Sequence, residues 1–149
     1  MAPVTHTEQG LDAFRTASME FDAVYGRLAK ACGLSGPEFW SLQLIHEGVE
    51  TQREISELLS LSRQTVNSAF KLLVGKGLIQ LVPRAQDQRS KQVILTQEGK
   101  QFVEANVVRV QRLEEQAWQT LSPREQESLI QLTRRYTAAL LASIQRSQC

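Results

Sequence analysis

The chain has 149 residues, 42% of them hydrophobic, so it can bury the core of about one domain and is not intrinsically disordered. Its 17 Lys and Arg residues nearly balance 16 Asp and Glu residues, which excludes a uniformly basic nucleic-acid coat but not a locally basic face. No uncharged apolar run approaches the roughly 18 residues of a membrane span, and the N-terminus lacks a secretory signal, so we expect a soluble cytoplasmic protein.

Helix start signals divide the chain into six predicted helices. Ser35, Thr51 and Ser122 each precede a glutamate by three positions, as in a capping box, where the hydroxyl and the carboxylate satisfy orphan amides. Ser62 and Thr96 are further starts. The predicted helices span roughly 8–32, 36–47, 52–59, 63–75, 97–119 and 123–145 of a single chain, 1–149, without a dividing linker.

The segment between the fourth and fifth helices has the pattern of a hairpin rather than a helix. Leu78–Val82 and Lys91–Leu95 are rich in β-branched residues, and they flank the polar segment Pro83–Ser90. Gly75 and Gly77 end the preceding helix. We therefore predict a mainly α fold with a small β-hairpin wing, in which residues 36–95 form a winged helix-turn-helix DNA-binding region.

The first, fifth and sixth helices carry narrow apolar stripes at spacings of three and four residues. The short central helices offer little surface to cover all three stripes, so we predict a homodimer in which residues 8–32 and 97–145 form a helical dimerisation region. A monomeric bundle is the alternative. The stripes are Leu11, Phe14, Ser18, Phe21, Tyr25, Leu28 and Cys32, then Phe102, Asn106, Val110, Leu113 and Ala117, then Leu129, Leu132, Tyr136, Leu140 and Ile144.

The fourth helix has an inward apolar face and an outward polar one. Its start, Ser62–Thr65, has no acid in the first turn, which leaves a positive helix end for a phosphate or a base edge. The outward face holds long donors and small polar groups, the side chains that bind base edges in the major groove. An ordinary solvated face is the alternative. The inward residues are Val66, Ala69, Phe70, Leu73 and Val74, and the outward residues are Arg63, Gln64, Asn67, Ser68 and Lys71.

Positive charge is collected on the same region. Leu61–Leu95 contains six Lys or Arg residues and one Asp, a net charge of +5, so the rest of the chain totals −4. Such segregation in a nearly neutral protein is typical of a phosphate-binding face. Arg84 and Arg89 lie on the predicted hairpin tip, which cannot bury them. A solubilising loop tip is the alternative for both arginines.

Three stretches of the sequence, Leu61–Asn67, Leu73–Ile79 and Asp87–Lys100, resemble the MarR (multiple antibiotic resistance regulator) family. The flanking long helices also match the layout of that family. The resemblance implies a homodimeric winged-helix repressor or activator of transcription, often released from DNA by a small molecule or an oxidant. It also implies that Asp87 shapes the wing and that Arg89 reaches the minor groove, although Gln88 replaces the first arginine of the usual Asp-Arg-Arg pattern.

We accordingly predict binding to double-stranded DNA at a pseudo-palindromic operator, with no cofactor. The predicted DNA-binding residues are Ser62, Arg63, Gln64, Thr65, Asn67, Ser68, Lys71, Arg84, Asp87, Arg89 and Lys91. A winged-helix module that binds proteins and not DNA remains the alternative. We expect no enzyme, because neither a nucleophile with its base nor a phosphate-binding glycine loop is visible.

Aromatic residues on the first two helices predict a pocket for a small aromatic effector. Phe14, Phe21, Phe39 and Trp40 lie close to where members of the family bind such ligands, and a plain core role is the alternative for each.

Cys32 suggests a second alternative, a redox-responsive regulator that depends on a stabilised thiolate. Cys149 ends the chain and is assigned no role. His46 is predicted to be a partly buried packing residue, because no complete set of zinc ligands surrounds it in the sequence.

Overall fold

The computed structural model of the chain describes residues 6–87, 89 and 91–148, with the backbone alone for residues 6–9. In this part of the chain it contains six helices and one hairpin, as predicted. The mainly α winged helix-turn-helix fold is confirmed, and every predicted end lies within two residues of the observed one. The elements are α1 (His6–Ala31), α2 (Gly36–His46), α3 (Gln52–Leu59), α4 (Arg63–Gly75), β1 (Ile79–Pro83), β2 (Lys91–Leu95), α5 (Gln97–Trp118) and α6 (Pro123–Ser147).

The predicted capping boxes form at three helix starts. At α2, the Ser35 amide donates to Glu38 Oε2 at 2.8 Å, and the Glu38 amide donates to Ser35 Oγ at 3.4 Å. The same reciprocal pair joins Thr51 to Glu54 at α3 and Ser122 to Glu125 at α6. Each box satisfies two backbone donors that the first helical turn leaves open, which fixes where the helix begins.

The chain forms two compact units, residues 1–109 and 110–149. The first unit has a continuous apolar core built from the short helices, the hairpin and the start of α5. The side chains that are almost completely inaccessible to solvent are Phe39, Leu42, Ile55, Val66, Phe70, Leu73, Ile79, Val103 and Val107.

The predicted inward face of α4 is correct except at its C-terminal end. Val66, Ala69, Phe70 and Leu73 are buried, whereas the side chain of Val74 is 45% exposed. Successive residues turn by about 100° around a helix, so Val74 lies roughly 80° from Val66, at the edge of the apolar face. Including Val74 in the core was wrong.

The buried face of α5 includes Val110 of the predicted stripe and is otherwise rotated by one position from it. Val103, Val107 and Val110 are buried, while Phe102 and Asn106 are half-buried. Further along the predicted stripe Leu113 and Ala117 are exposed. A shift of one residue turns a helix face by about 100°, so the β-branched residues of α5, not its aromatic residue, provide the main packing surface.

Hydrogen bonds of the Thr96 hydroxyl connect the hairpin to the start of α5. β1 and β2 pair antiparallel from Ile79 opposite Leu95 to Pro83 opposite Lys91. At the open end of the hairpin, the Thr96 hydroxyl donates to the Gly77 carbonyl oxygen at 2.5 Å and accepts from the Gly99 amide at 2.9 Å.

Two glycines are required at this junction. Gly77 has a φ of +72°, a left-handed conformation that favours glycine. A Cβ at Gly99 would lie 1.9 Å from the carbonyl oxygen of Leu78, which is far inside van der Waals contact. Helix α5 can therefore begin directly against the hairpin only while position 99 lacks a side chain.

The second unit contains the end of α5, a tight turn and α6. Gln126 Nε2 closes the turn by donating to the carbonyl oxygens of Trp118 and Leu121, at 2.9 and 3.2 Å. Along its described length, α6 buries none of its residues. Its exposed large apolar residues are Leu129, Ile130, Leu132, Tyr136, Leu140, Leu141 and Ile144.

In the first unit, much of α1 is likewise exposed. Leu11, Phe14, Met19, Phe21 and Val24 are all accessible to solvent, and burial begins near the C-terminal end of the helix, at Ala29. None of the helices in the described part of the chain is both long and apolar enough to cross a membrane.

Candidate nucleic-acid interface

The turn between α3 and α4 is fixed by local hydrogen bonds. Ser60 ends α3 in the left-handed conformation, with a φ of 51°. The Leu61 amide then donates to the Ser56 carbonyl oxygen at 3.1 Å, and Ser56 Oγ donates to the Leu61 carbonyl oxygen at 2.7 Å. Ser62 follows as the N-cap of α4. These contacts set the direction in which α4 leaves the turn.

The outward face of α4 presents the predicted polar residues to solvent. All five side chains are exposed, and none of them makes a hydrogen bond or an ion pair with another described residue. Their donors and acceptors are therefore available to an external partner, as base reading in a major groove requires. These residues are Arg63, Gln64, Asn67, Ser68 and Lys71.

Ser62 and Thr65, also predicted to bind DNA, have structural roles at the start of α4. Ser62 Oγ accepts from the Thr65 amide at 3.0 Å, and the two hydroxyl oxygens lie 2.8 Å apart. Thr65 is half-buried. Their hydroxyls are thus already engaged with each other and with the helix end.

The tip of the wing is shaped by Asp87. Its Oδ1 accepts a hydrogen bond of 3.0 Å from the Arg89 amide, and its own amide donates to the Arg84 carbonyl oxygen at 3.3 Å. The Arg89 side chain is exposed, as is that of Lys91 at the start of β2. The substitution at Gln88 lies outside the described residues.

Arg84 does not lie free on the tip, contrary to the sequence-based expectation. Its Nη2 atom is 3.0 Å from Oε2 of Glu50, and the side chain is 38% exposed. Glu50 lies in the connection between α2 and α3, which the sequence does not place beside the wing. The loop is anchored there because the Val93 amide of β2 donates to the Glu50 carbonyl oxygen at 2.8 Å.

Helix α4 and the wing share one open groove of about 660 Å³. Asn67 of α4, the start of α3 and the cations of the wing all line it. The residues that line this groove are Thr51, Gln52, Arg53, Glu54, Asn67, Leu81, Arg84, Arg89 and Lys91.

The sequence charge count overstates the free positive charge of this region. Lys76 does not face the groove: its Nζ atom lies 2.5 Å from Oε1 of Glu38 and 3.2 Å from the Gly33 carbonyl oxygen. Together with the Arg84 pair, this matches two of the six cations with carboxylates from outside the segment. The cations that have no carboxylate partner among the described residues are Arg63, Lys71, Arg89 and Lys91.

Glu38 is the least exposed charged residue of the described core, at 3% of its surface. Burial acts to raise the pKa of its carboxyl, but the hydrogen bonds from Lys76 and Ser35 outweigh burial and hold that pKa below its usual value. The sequence indicates the capping role of Glu38. It gives no sign of Lys76, because the two residues are 38 positions apart.

The aromatic residues of α1 and α2 form a second, smaller pocket, of about 420 Å³. Tyr25 joins two of the predicted residues, with its ring centroid 5.2 Å from that of Phe21 and 5.1 Å from that of Trp40. Phe39 instead belongs to the core, and Phe14 is exposed on α1 outside the lining. The lining residues are Phe21, Asp22, Tyr25, Gly26, Gly36 and Trp40.

Cys32, the candidate for redox control, directly follows α1 and is half-buried. Burial raises the pKa of the Cys32 thiol, and the opposing charge of Arg109 is the smaller effect, so the reactive thiolate is less populated than usual. His46 is exposed, so its predicted packing role is wrong. Within the described residues, no three His, Cys, Asp or Glu side chains are grouped closely enough to bind a metal ion.

Comparison with known proteins links this interface to one class of regulators. A family model described as the MarR family matches residues 29–90. A MarR family regulator from Neisseria meningitidis is 26% identical, with a TM-score of 0.78 over 93% of this chain and 98% of that one. No curated protein sequence matches the chain.

Two further structures share the fold at lower identity. MepR of S. aureus, in complex with DNA, is 24% identical, with a TM-score of 0.72 over 86% of this chain and 94% of that one. BpsR of Bordetella bronchiseptica, whose DNA binding is regulated by 6-hydroxynicotinic acid, is 20% identical, with a TM-score of 0.71 over 91% and 98%.

Proposed function

Because the chain belongs to the MarR family of winged helix-turn-helix transcription regulators, we propose that it is a sequence-specific DNA-binding repressor released by a small molecule. The observation that carries this proposal is the groove that Asn67 of α4 and the wing cations line together. Free donors for base edges and free cations for phosphates are the two components that specific DNA binding needs. A regulator rather than an enzyme is the function that this groove supports.

We propose that α4 enters the major groove and that the wing lies along the adjacent minor groove. Gln64 and Asn67 read base edges, while Arg63 and Lys71 contact the backbone. Arg89, exposed at the tip, reaches into the narrow and electronegative minor groove. The DNA complex of S. aureus MepR, which has the same fold, supports DNA as the partner.

We further propose that the regulator is a homodimer. The apolar face of α6 is exposed along its described length, and a series of large apolar residues at helical spacing is typical of a surface covered by a partner. Two-fold symmetry then requires a pseudo-palindromic operator, with half-sites about 10 base pairs apart so that the two copies of α4 enter successive major grooves.

The effector of this proposal binds in the aromatic pocket of α1 and α2. The rings of Phe21, Tyr25 and Trp40, packed edge to face and at a tilt, offer aromatic surface that suits a flat aromatic ligand. Asp22 is the one charged residue among the six described lining residues, so a neutral or cationic aromatic molecule is favoured over a carboxylate. The ligand-regulated DNA binding of BpsR supports effector release as the mode of control.

Selection of random duplexes by the purified full-length protein tests the function. We expect enrichment of one pseudo-palindrome with half-sites about 10 base pairs apart. Recovery of duplexes without any enriched sequence would contradict specific DNA reading. Failure to retain duplex DNA at all would favour the alternative of a protein-binding winged helix.

The role of Asn67 is tested on the selected operator. We expect Asn67→Ala to weaken binding to that operator by about 1–3 kcal/mol and to relax sequence preference at one position in each half-site. Lys71→Ala, on the same face, is the control and should weaken operator and random DNA alike. An equal loss on both DNAs for Asn67→Ala would show that this residue only contacts the backbone.

A further inference from the structure

Glu50 contacts the wing through both its backbone and its side chain. Its carbonyl oxygen accepts a hydrogen bond of 2.8 Å from the Val93 amide of β2. Its carboxylate accepts one of 3.0 Å from Arg84, directly after β1. Because the backbone contact fixes the position of Glu50 beside the hairpin, the ion pair is a stable feature of this corner and not a chance meeting of two mobile side chains.

The ion pair removes Arg84 from the free cations of the groove. Arg84 lines the groove with Arg89 and Lys91, yet its charge is matched by Glu50. The charge of Arg84 also acts on the carboxylate of Glu54. Hydrogen bonding to the Thr51 hydroxyl lowers the pKa of Glu54 most, and the charge of Arg84 lowers it further. Arg89 and Lys91 form no ion pair with the described part of the chain.

The pair is accessible enough for a DNA phosphate to compete with it. Arg84 is 38% exposed and Glu50 is 51% exposed, so water and salt screen their attraction. A phosphate must nevertheless displace Glu50 before it can bind Arg84. A loosely bound random duplex lacks the base contacts that would offset this displacement, whereas a matched operator has them.

We propose that Glu50 is a specificity-determining residue. On random DNA its carboxylate stays paired with Arg84 and keeps it away from phosphates. On the matched operator the ion pair opens and Arg84 binds a phosphate. The inference rests on the proposed function, because it gives Glu50 a role at the same DNA-binding face. In effect, Glu50 removes one phosphate contact per subunit from non-specific binding while leaving specific binding intact.

The test uses the full chain and measures affinity across a salt series. Glu50→Gln keeps the backbone carbonyl and removes the charge. We expect it to bind random duplex more tightly, with the slope of log affinity against log salt steeper by about 0.9 per subunit. Arg84→Gln alone leaves the Glu50 carboxylate unpaired beside the groove, so we expect it to weaken binding to random duplex and to the selected operator. The double variant should return to wild-type behaviour on random duplex.

Glu47→Gln is the matched control, because it removes the same charge three residues earlier. Glu47 accepts a hydrogen bond from Gln43 and not from a cation. A Glu50→Gln protein indistinguishable from this control would overturn the inference. A shallower slope for the double variant than for the wild type on random duplex would also overturn it, because Arg84 would then already contact phosphate in the wild type.

Elution from heparin separates this inference from the proposed function. Heparin is a polyanion without bases, so it reports the free cations of the face even if the protein binds no duplex. Failure of the wild type to bind duplex would refute the proposed function. Later elution of Glu50→Gln than of Glu47→Gln would still support the withholding of Arg84, and equal elution would refute it.

Discussion

The two units of the chain differ in what covers their apolar surface. Residues 1–109 bury apolar side chains from the short helices, the hairpin and the start of α5 in one core. In residues 110–149, α6 buries none of its described residues, although large apolar side chains recur along it. Helical periodicity is clear in both units, so periodicity identifies an apolar face but not the molecule that covers it.

The contrast indicates two sources of stability. The first unit contains its own apolar core, so burial within one chain contributes to its stability. The second unit exposes apolar surface of the kind that marks an interface. The proposed homodimer assigns that surface to a second copy, and the following experiments test whether the division is real.

The largest effect is expected in the core of the first unit. Phe70→Ala removes a side chain that is 1% exposed on α4, which should cost about 3–5 kcal/mol of unfolding free energy in urea denaturation. Val74→Ala, one helical turn further along and at the edge of the face, is the control and should cost less than about 1 kcal/mol. Similar losses for the two variants would break the distinction between core and edge.

A charge on the apolar face of α6 should disrupt the dimer. Leu132→Glu places two unpaired carboxylates in a symmetric interface, which should raise the dimer dissociation constant by at least about a hundredfold in sedimentation experiments. Ala138→Glu adds the same charge to the opposite face of the helix and should leave the dimer intact. A wild type that sediments as a monomer at micromolar concentration would refute the dimer itself.

The same variant tests whether the first unit is self-sufficient. Circular dichroism of the Leu132→Glu monomer should retain the helical signal and a cooperative thermal transition. Loss of all structure on dissociation would contradict the division into a unit with its own core and a unit that needs a partner.

An intermediate effect is expected at the ion pair between Glu38 and Lys76. Lys76→Met leaves a buried carboxylate without its cation, which should destabilise the protein by about 1–2 kcal/mol at neutral pH. Arg53→Met, which breaks the exposed pair with Glu57, is the control and should have no measurable effect. Equal behaviour of the two variants would show that burial of Glu38 does not matter.

The destabilisation by Lys76→Met should depend on pH in a defined direction. The folded pKa of Glu38 lies below its usual value of about 4.3. Its ionised form therefore stabilises the fold above that pH, and this contribution is lost as the pH falls through the folded pKa. The difference between wild type and Lys76→Met should shrink in acid. A constant difference between pH 7 and about pH 3 would contradict this assignment.

The smallest effect on stability is expected at the wing tip. Arg89→Ala should change the unfolding free energy by less than about 0.5 kcal/mol, because the side chain is exposed. The same variant should bind many DNA sequences more weakly, with a salt slope shallower by about one per subunit. Full affinity with an unchanged slope would show that the wing is a solvated loop that does not contact DNA.

Local sequence signals predicted the elements well, because the interactions that set helix and strand ends are short-ranged. The hydroxyl of Ser35 and the carboxylate of Glu38 lie three positions apart, and the structure confirms their box. The hairpin was equally visible from its β-branched strands. His46 shows the limit of such signals: it is exposed at the last position of α2, and the sequence does not mark where along that helix the core ends.

The site was predicted in part, and the missing part consists of contacts between distant positions. The free face of α4 followed from helical spacing alone. The partners of Lys76 and Arg84 did not, because Glu38 and Glu50 lie 38 and 34 positions earlier in the chain. A count of charges in one segment treats every cation as free. The fold decides which cations are already neutralised.

The close approach of Gly99 to the Leu78 carbonyl oxygen makes a rigid joint between α5 and the root of the wing. The Thr96 hydroxyl, bonded to both Gly77 and Gly99, locks the joint further. The first turn of α5 and the first residue of the hairpin must then move together as a rigid body. A displacement of that turn therefore moves β1, the strand that Arg84 directly follows.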